Sequence, residues 1–186
     1  MRPYLLLIPA LLLLAACQTS RLDRDFDPQR DFAAYRSWSW QEPAVRYRPE
    51  DPRLASDLTE QRLRTAIAEQ LEQRGLRAAA AGANGDLRVQ AWLIVDQRQQ
   101  QVSTHYGGAW HGHWGGFWGG PGYVETRTVD YRVGTLQIDL FDGRDGQLVW
   151  RGSAAQSLRD DSPSPAERAA ALHRTVAEVL GQYPPH

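Results

Sequence analysis

Apolar positions recur along the chain with two periods, and the switches between them mark its elements. In YRSWSW at 35–40, Arg36, Trp38 and Trp40 fall on one side and Tyr35, Ser37 and Ser39 on the other, a short aromatic strand with both tryptophans facing one way. A proline-bearing linker follows. Leu63, Ile67 and Leu71 then recur at four-residue steps between Arg, Glu and Gln, which predicts an amphipathic helix. Pro52 after Asp51, or Asp57 with Glu60, offers its start, and Gly75 with Leu76 offers a left-handed cap and its hydrophobic contact. Alternation returns where Leu87, Val89, Ala91, Leu93 and Val95 oppose Arg88, Gln90 and Trp92, in a strand that runs on toward Val102. From Tyr123 a second long strand puts Leu136, Ile138 and Leu140 on one face. DGRDG at 142–146 turns it back: Gly143 and Gly146 supply positive φ, and Asp142 and Asp145 bond to local backbone. On the returning strand Trp150 is expected in the core, with Leu148 and Ala154 on its side.

The last helix is the most completely written. Ser164 is the N-cap, Pro165 the first helical residue and Glu167 closes a capping box. Ala169, Leu172, Val176, Val179, Leu180 and Tyr183 form its apolar stripe, which Gly181 breaks and Pro184-Pro185 prevent from resuming. The order strand, helix, consecutive strands, helix predicts an α+β fold: an antiparallel sheet of about four strands with two helices packed on one face. A length of 186 residues suits one such core, and no internal repeat is visible.

The N-terminus adds a location. Arg2 precedes the apolar run YLLLIPALLLLAA, shorter than the ~20 residues of a membrane-crossing helix but suited to a secretory signal. It ends in Leu14-Ala15-Ala16-Cys17, which resembles the bacterial lipobox, whose cysteine is acylated and becomes the first residue after cleavage. Cys17 is the only cysteine, so no disulfide can form within the chain. Gln18 follows; in the lipoproteins it resembles an aspartate there favours inner-membrane retention, so its absence implies export to the outer membrane. The division expected is a signal peptide over 1–16, an acylated Cys17 and polar tether over 17–30, and one α+β domain over 31–186, held in the periplasm by its lipid.

Taken together, FAAYRSWSW, Gly75 ending the first helix, the GDLRV strand entry, GTLQIDLFD, LVWRG and the closing YPP resemble the bacterial lipoprotein family known as domain of unknown function 4136, over about residues 22–185. These motifs mark strands and turns. The resemblance therefore implies fold and envelope location, and brings no catalytic residues. Members often have a Gly-, Trp- and Tyr-rich stretch of variable length where this chain has 106–123.

Charge and composition exclude several functions. The formal net charge is -1 and there is no lysine, which removes phosphate-loop NTPases, Schiff-base enzymes and pyridoxal enzymes; without a basic run no nucleic-acid partner is expected either. One segment still invites chemistry: GGAWHGHWGGFWGG at 107–120. His105, His111 and His113 are spaced to hold a metal ion if a third ligand approaches, but seven glycines in fourteen residues make ordering costly, so no metal or cofactor is expected. Trp110, Trp114, Phe117 and Trp118 could stack on a cell-wall glycan, meet another envelope protein or enter a membrane interface. The remaining reading is an insertion that joins two antiparallel strands and is dispensable for folding, with 106–121 replaceable by Asn-Gly. DGRDG lacks the acidic spacing of a calcium loop, Ser153, Ser157 and Ser162 have no elbow or histidine partner, His173 borders the helix stripe, and Glu125 and Asp130 flank the loop without a readable separation. The expectation is a non-enzymatic outer-membrane lipoprotein serving envelope structure, assembly or partner binding, with a metal- or ligand-binding module centred on the histidines as the alternative.

Overall fold

The computed structural model describes residues 20–52, 54–106, 123–158 and 163–185. Six strands, β1 (Arg21–Phe26), β2 (Ser37–Arg48), β3 (Arg77–Ala78), β4 (Leu87–Tyr106), β5 (Tyr123–Asp142) and β6 (Leu148–Leu158), lie in one sheet in the order β1-β6-β5-β4-β2-β3. Helices α1 (Asp57–Gln73) and α2 (Pro165–Leu180) complete the α+β fold. The pairings β1/β6, β6/β5 and β5/β4 are antiparallel, whereas β2 runs parallel to both β4 and β3. A parallel pair needs a crossover connection, and α1 supplies it between β2 and β4.

The expected four-stranded antiparallel sheet is thus corrected to six strands in a mixed sheet. One addition, β1, lies inside the stretch read as a tether, where Arg21 to Phe26 pair with Ala155 to Trp150. It is an edge strand, exposed over its first five residues, four of them charged, and only its last residue, Phe26, packs against the core. The other is β3, two residues that pair with Ser37 and Trp38 at the opposite edge; in addition, the stretch read as a linker after Trp40 continues β2 and buries Ala44 and Val45, its pairing with β4 shifting between Trp40 and Val45 to take in Pro43. Two helices tiling one flat face is corrected as well. The sheet curls, α1 and α2 pack on each other, and they meet different strands, α1 at β3 and α2 at β5 and β6.

The core forms where these helices close on the sheet. Leu63, Ile67 and Leu71 of α1 and Val176, Val179 and Leu180 of α2 are fully buried, with Leu87, Val89, Ile138 and Leu140 from β4 and β5. Each such burial contributes ~1.5–3 kcal/mol. Trp150 is 0% exposed, as its alternation predicts, and packs edge-on against Tyr183 with centroids 5.7 Å apart. Leu148, expected beside it, is exposed instead, because the β5–β6 register shifts between Leu140 and Phe141 and turns Val149 inward.

Local signals at the helix ends hold. The Glu167 N–H donates to the Ser164 hydroxyl oxygen at 3.3 Å, and the Ser164 N–H donates to the Glu167 carboxylate at 2.7 Å. At the end of α1, Gly75 has φ 84, and the Leu76 N–H reaches back to the Leu71 carbonyl at 3.1 Å. In the β5–β6 turn Gly146 has positive φ but Gly143 does not. Gly143 is needed for closeness instead: a Cβ there would strike the Gly85 carbonyl, and its N–H donates to the Asp86 carbonyl at 2.7 Å.

Candidate functional site

Where the core ends, β4 and β5 do not. They pair residue for residue from Leu87↔Asp142 to Tyr106↔Tyr123, but β2 accompanies β4 only to Ile94, and β6 accompanies β5 only from Arg132. Residues 98–106 and 123–131 therefore form a two-stranded arm, nine residues long in each strand, or ~30 Å. Among the described residues no third strand pairs with either edge, so both rows of outward backbone N–H and C=O groups are open.

The arm reverses the polarity of the sheet it leaves. In the sheet the odd positions of β4 face the helices as Leu87, Val89, Ala91, Leu93 and Val95; beyond the helices the same side continues as Gln97, Gln99, Gln101, Ser103 and His105. The even side becomes the more apolar one. It carries Val102, Tyr106, Tyr123, Val129 and Tyr131 among Arg98, Gln100, Thr104, Glu125 and Arg127. Tyr123 is 63% exposed, and its ring stacks on Tyr106 with centroids 5.1 Å apart and planes 19° from parallel.

The structure sorts the candidate residues along this arm. His105 stands exposed in β4 opposite Val124, with Thr104 opposite Glu125. His111, His113, Trp110, Trp114, Phe117 and Trp118 lie outside the described residues, as does Cys17. Among the described residues no three His, Cys, Asp or Glu side chains are grouped to hold a metal ion. Glu125 and Asp130 are five positions apart on one strand, hence on opposite faces, and do not form a carboxylate pair. His173 Nδ1 sits 3.5 Å from Glu69 Oε2 across the two helices, both side chains largely exposed.

A second constellation, at the other end of the sheet, escaped sequence reasoning. Arg30 reaches three carboxylates, Asp27 at 3.2 Å, Asp142 at 3.1 Å and Asp145 at 2.7 Å, and Tyr35 donates its hydroxyl to Asp142 at 2.9 Å. Burial, and then this bond, push the Tyr35 hydroxyl up to about 12. Burial alone would raise Asp142, but the Arg144 N–H and the Tyr35 hydroxyl outweigh it and hold the carboxyl below its ordinary range. Asp86 is held low chiefly by the Arg36 N–H, with the Ser37 N–H and hydroxyl adding to it. Each partner belongs to a turn or strand entry, so the cluster fastens the segment before β2 to the β5–β6 turn. A cleft of about 570 Å³ beside β2, where Arg46 stacks over Trp92 at 5.2 Å, has no Ser, Thr, Cys or His among its described lining residues.

The chain is similar to one family and to several solved structures. The profile of the family described as "Domain of unknown function (DUF4136)" matches residues 22–185. A PDZ domain protein from Parabacteroides distasonis is similar in structure at 16% identity with a TM-score of 0.54; the match covers 89% of this chain and 35% of that protein, so this chain spans about a third of its length. A DUF4136 family protein from Bacteroides thetaiotaomicron aligns at 17% identity and a TM-score of 0.49, covering 89% and 96% of the two chains. The PelC dodecamer from Paraburkholderia phytofirmans aligns at 14% identity and 0.45, covering 87% and 95%. No curated protein matches the sequence significantly. Among the described residues no helix is long and apolar enough to cross a membrane.

Proposed function

From the premise that the chain belongs to the DUF4136 family, we propose that it is a non-enzymatic, outer-membrane-anchored lipoprotein that binds an envelope partner through its β4–β5 arm. The observation that carries this reading is the arm itself: two strands that leave the core together, with both edges and both faces open among the described residues. An open edge pairs readily with an added strand, and exposed tyrosines supply contact area at low entropic cost. In sequence the arm leads directly into the stretch with Trp110, Trp114, Phe117 and Trp118, which extends the aromatic content of the same end. The partner class is another envelope protein or a cell-wall glycan. Tethering through Cys17 would keep such contacts at high effective concentration.

A photo-reactive residue placed at Gln101 or Thr128, on the arm, and at Arg144, in the opposite turn, tests the proposal in intact envelopes. The expected result is one discrete adduct from both arm positions and none from Arg144. Equal adduct patterns at the two ends would refute arm-directed binding. The anchor has its own check: Cys17→Ser should abolish incorporation of a labelled fatty acid, and normal labelling in that variant would end the lipoprotein reading.

A further inference from the structure

We infer that the aromatic side of the β4–β5 arm lies against the lipid bilayer that holds Cys17, an inference that rests on the lipoprotein reading above and gives its arm a second contact. The argument starts from strand directions. Because β1/β6, β6/β5 and β5/β4 are antiparallel, β1 begins, β6 ends, β5 begins and β4 ends at one and the same end of the sheet. The start of β1 and the arm therefore lie at the same end of the domain.

Their reaches differ. Ser20 is fixed beside α2, its hydroxyl donating to Glu178 at 2.7 Å. Only Gln18 and Thr19 separate it from Cys17, a span of at most ~11 Å. Arg21 is level with Ala155, and Ala155 with Thr135. From Thr135 the arm continues to Tyr123, twelve residues further or ~40 Å. A bilayer close enough to hold Cys17 is thus nearer to the domain than the tip of the arm is, so the arm must meet it.

Charge and side-chain placement decide how. Arg98, Glu125, Arg127 and Asp130 would be expensive in hydrocarbon, which keeps the arm in the headgroup region instead of crossing it. Of its two sides, the even one matches that region: Tyr106, Tyr123 and Tyr131 are of the type enriched at membrane interfaces, Val102 and Val129 add apolar area, and Arg98 and Arg127 suit lipid phosphates. The other side, with Gln99, Gln101, Ser103, Thr126, Thr128 and Asp130 and a single apolar residue, Val124, suits water.

Acylation consumes the only cysteine, so an introduced one is the sole thiol for labelling. Thr104→Cys on the aromatic side, Gln101→Cys on the polar side and Arg144→Cys in the far turn would each be made in the full acylated protein. Each would carry an environment-sensitive fluorophore and enter phosphatidylethanolamine–phosphatidylglycerol vesicles with brominated acyl chains. The probe at 104 should shift to the blue and be quenched by bromine, the probe at 101 less so, and the probe at 144 not at all. Tyr106→Ser with Tyr123→Ser should reduce quenching at 104 while the protein still floats with the vesicles. Quenching at 104 no greater than at 144, in protein that floats, overturns the inference and leaves the anchor standing; equal quenching at 101 and 104 overturns the assignment of the aromatic side. Protein that stays in solution on flotation overturns the anchor reading and this inference with it.

Discussion

At the end of the sheet where β5 turns into β6, Arg30 meets three carboxylates, Tyr35 and Asp142 share a hydrogen bond, and Gly143 lets the turn close on the entry to β4. At the opposite end the same β5, still in register with β4, has among the described residues neither a helix nor a second strand beside it. The β4–β5 pair thus passes from a setting where side chains from distant parts of the chain fix it to one where only cross-strand partners do. Regular pairing is therefore no measure of local stability. The first region carries the free energy of the fold, and the second is free to be shaped by contact with something else, as low-stability segments at functional sites generally are.

Substitutions that test this contrast should fall in a definite order. Trp150→Ala, in the closed region, should cost ~3–5 kcal/mol in chemical denaturation; a loss below ~1 kcal/mol would mean the core does not depend on this end. Asp142→Asn removes the charge that Arg30 and Tyr35 share and should cost about 1–3 kcal/mol. Its effect should shrink in a Tyr35→Phe background, the mark of a coupled pair.

Titration should strike the same end. Asp86 and Asp142 have depressed folded values, so their contribution is complete above the unfolded aspartate value of ~3.9 and is lost as pH falls through the lower folded values. Tyr35 is shifted the other way: its contribution is complete below ~10 and is lost as pH rises through about 12. Tyr35→Phe should flatten the alkaline limb of melting temperature against pH; an unchanged limb would place that titration elsewhere. The smallest effect belongs to the arm. Since Tyr106 is paired with Tyr123, replacing 107–122 with Asn-Gly joins the strands by a two-residue hairpin and should change stability by less than ~0.5 kcal/mol. Failure of that variant to fold would mean that the segment helps to build the core.

Particular residues explain what could be read in advance. The capping box of α2, Gly75, the inward side of Leu87, Val89 and Ala91 and the burial of Trp150 are local or periodic signals, and the structure realises each; further along the row Leu93 and Val95 are only half-buried, and Gln90, expected outward, is buried with its amide donating to the Pro43 carbonyl. β1 was hidden because RLDRDF contributes backbone to an edge and only Phe26 to the core, so its other side chains follow solubility and not the sheet. Pro43 concealed the second half of β2, since a proline within a run usually argues against a strand and here sits in a register shift. The Arg30 cluster could not be read at all: its members lie 112 and 115 residues apart and meet only once the sheet is assembled. The candidate site was legible in part. Its position between two antiparallel strands followed from the pattern, as did the run of β4 toward Val102; that β2 and β6 stop short and leave the pair alone depends on strand pairing, which no local pattern carries.

The stacked Tyr106–Tyr123 pair has a practical consequence. It closes the two strands at a single point, with backbones about 5 Å apart, before the sixteen intervening positions 107–122 begin. Whatever is spliced there enters and leaves through one narrow port, remote from every residue that holds the domain together, and each doubling of its length costs only ~0.6 kcal/mol. The domain is in effect a ready-made handle on which foreign peptides, affinity tags or reporter loops can be mounted without redesigning the body that carries them.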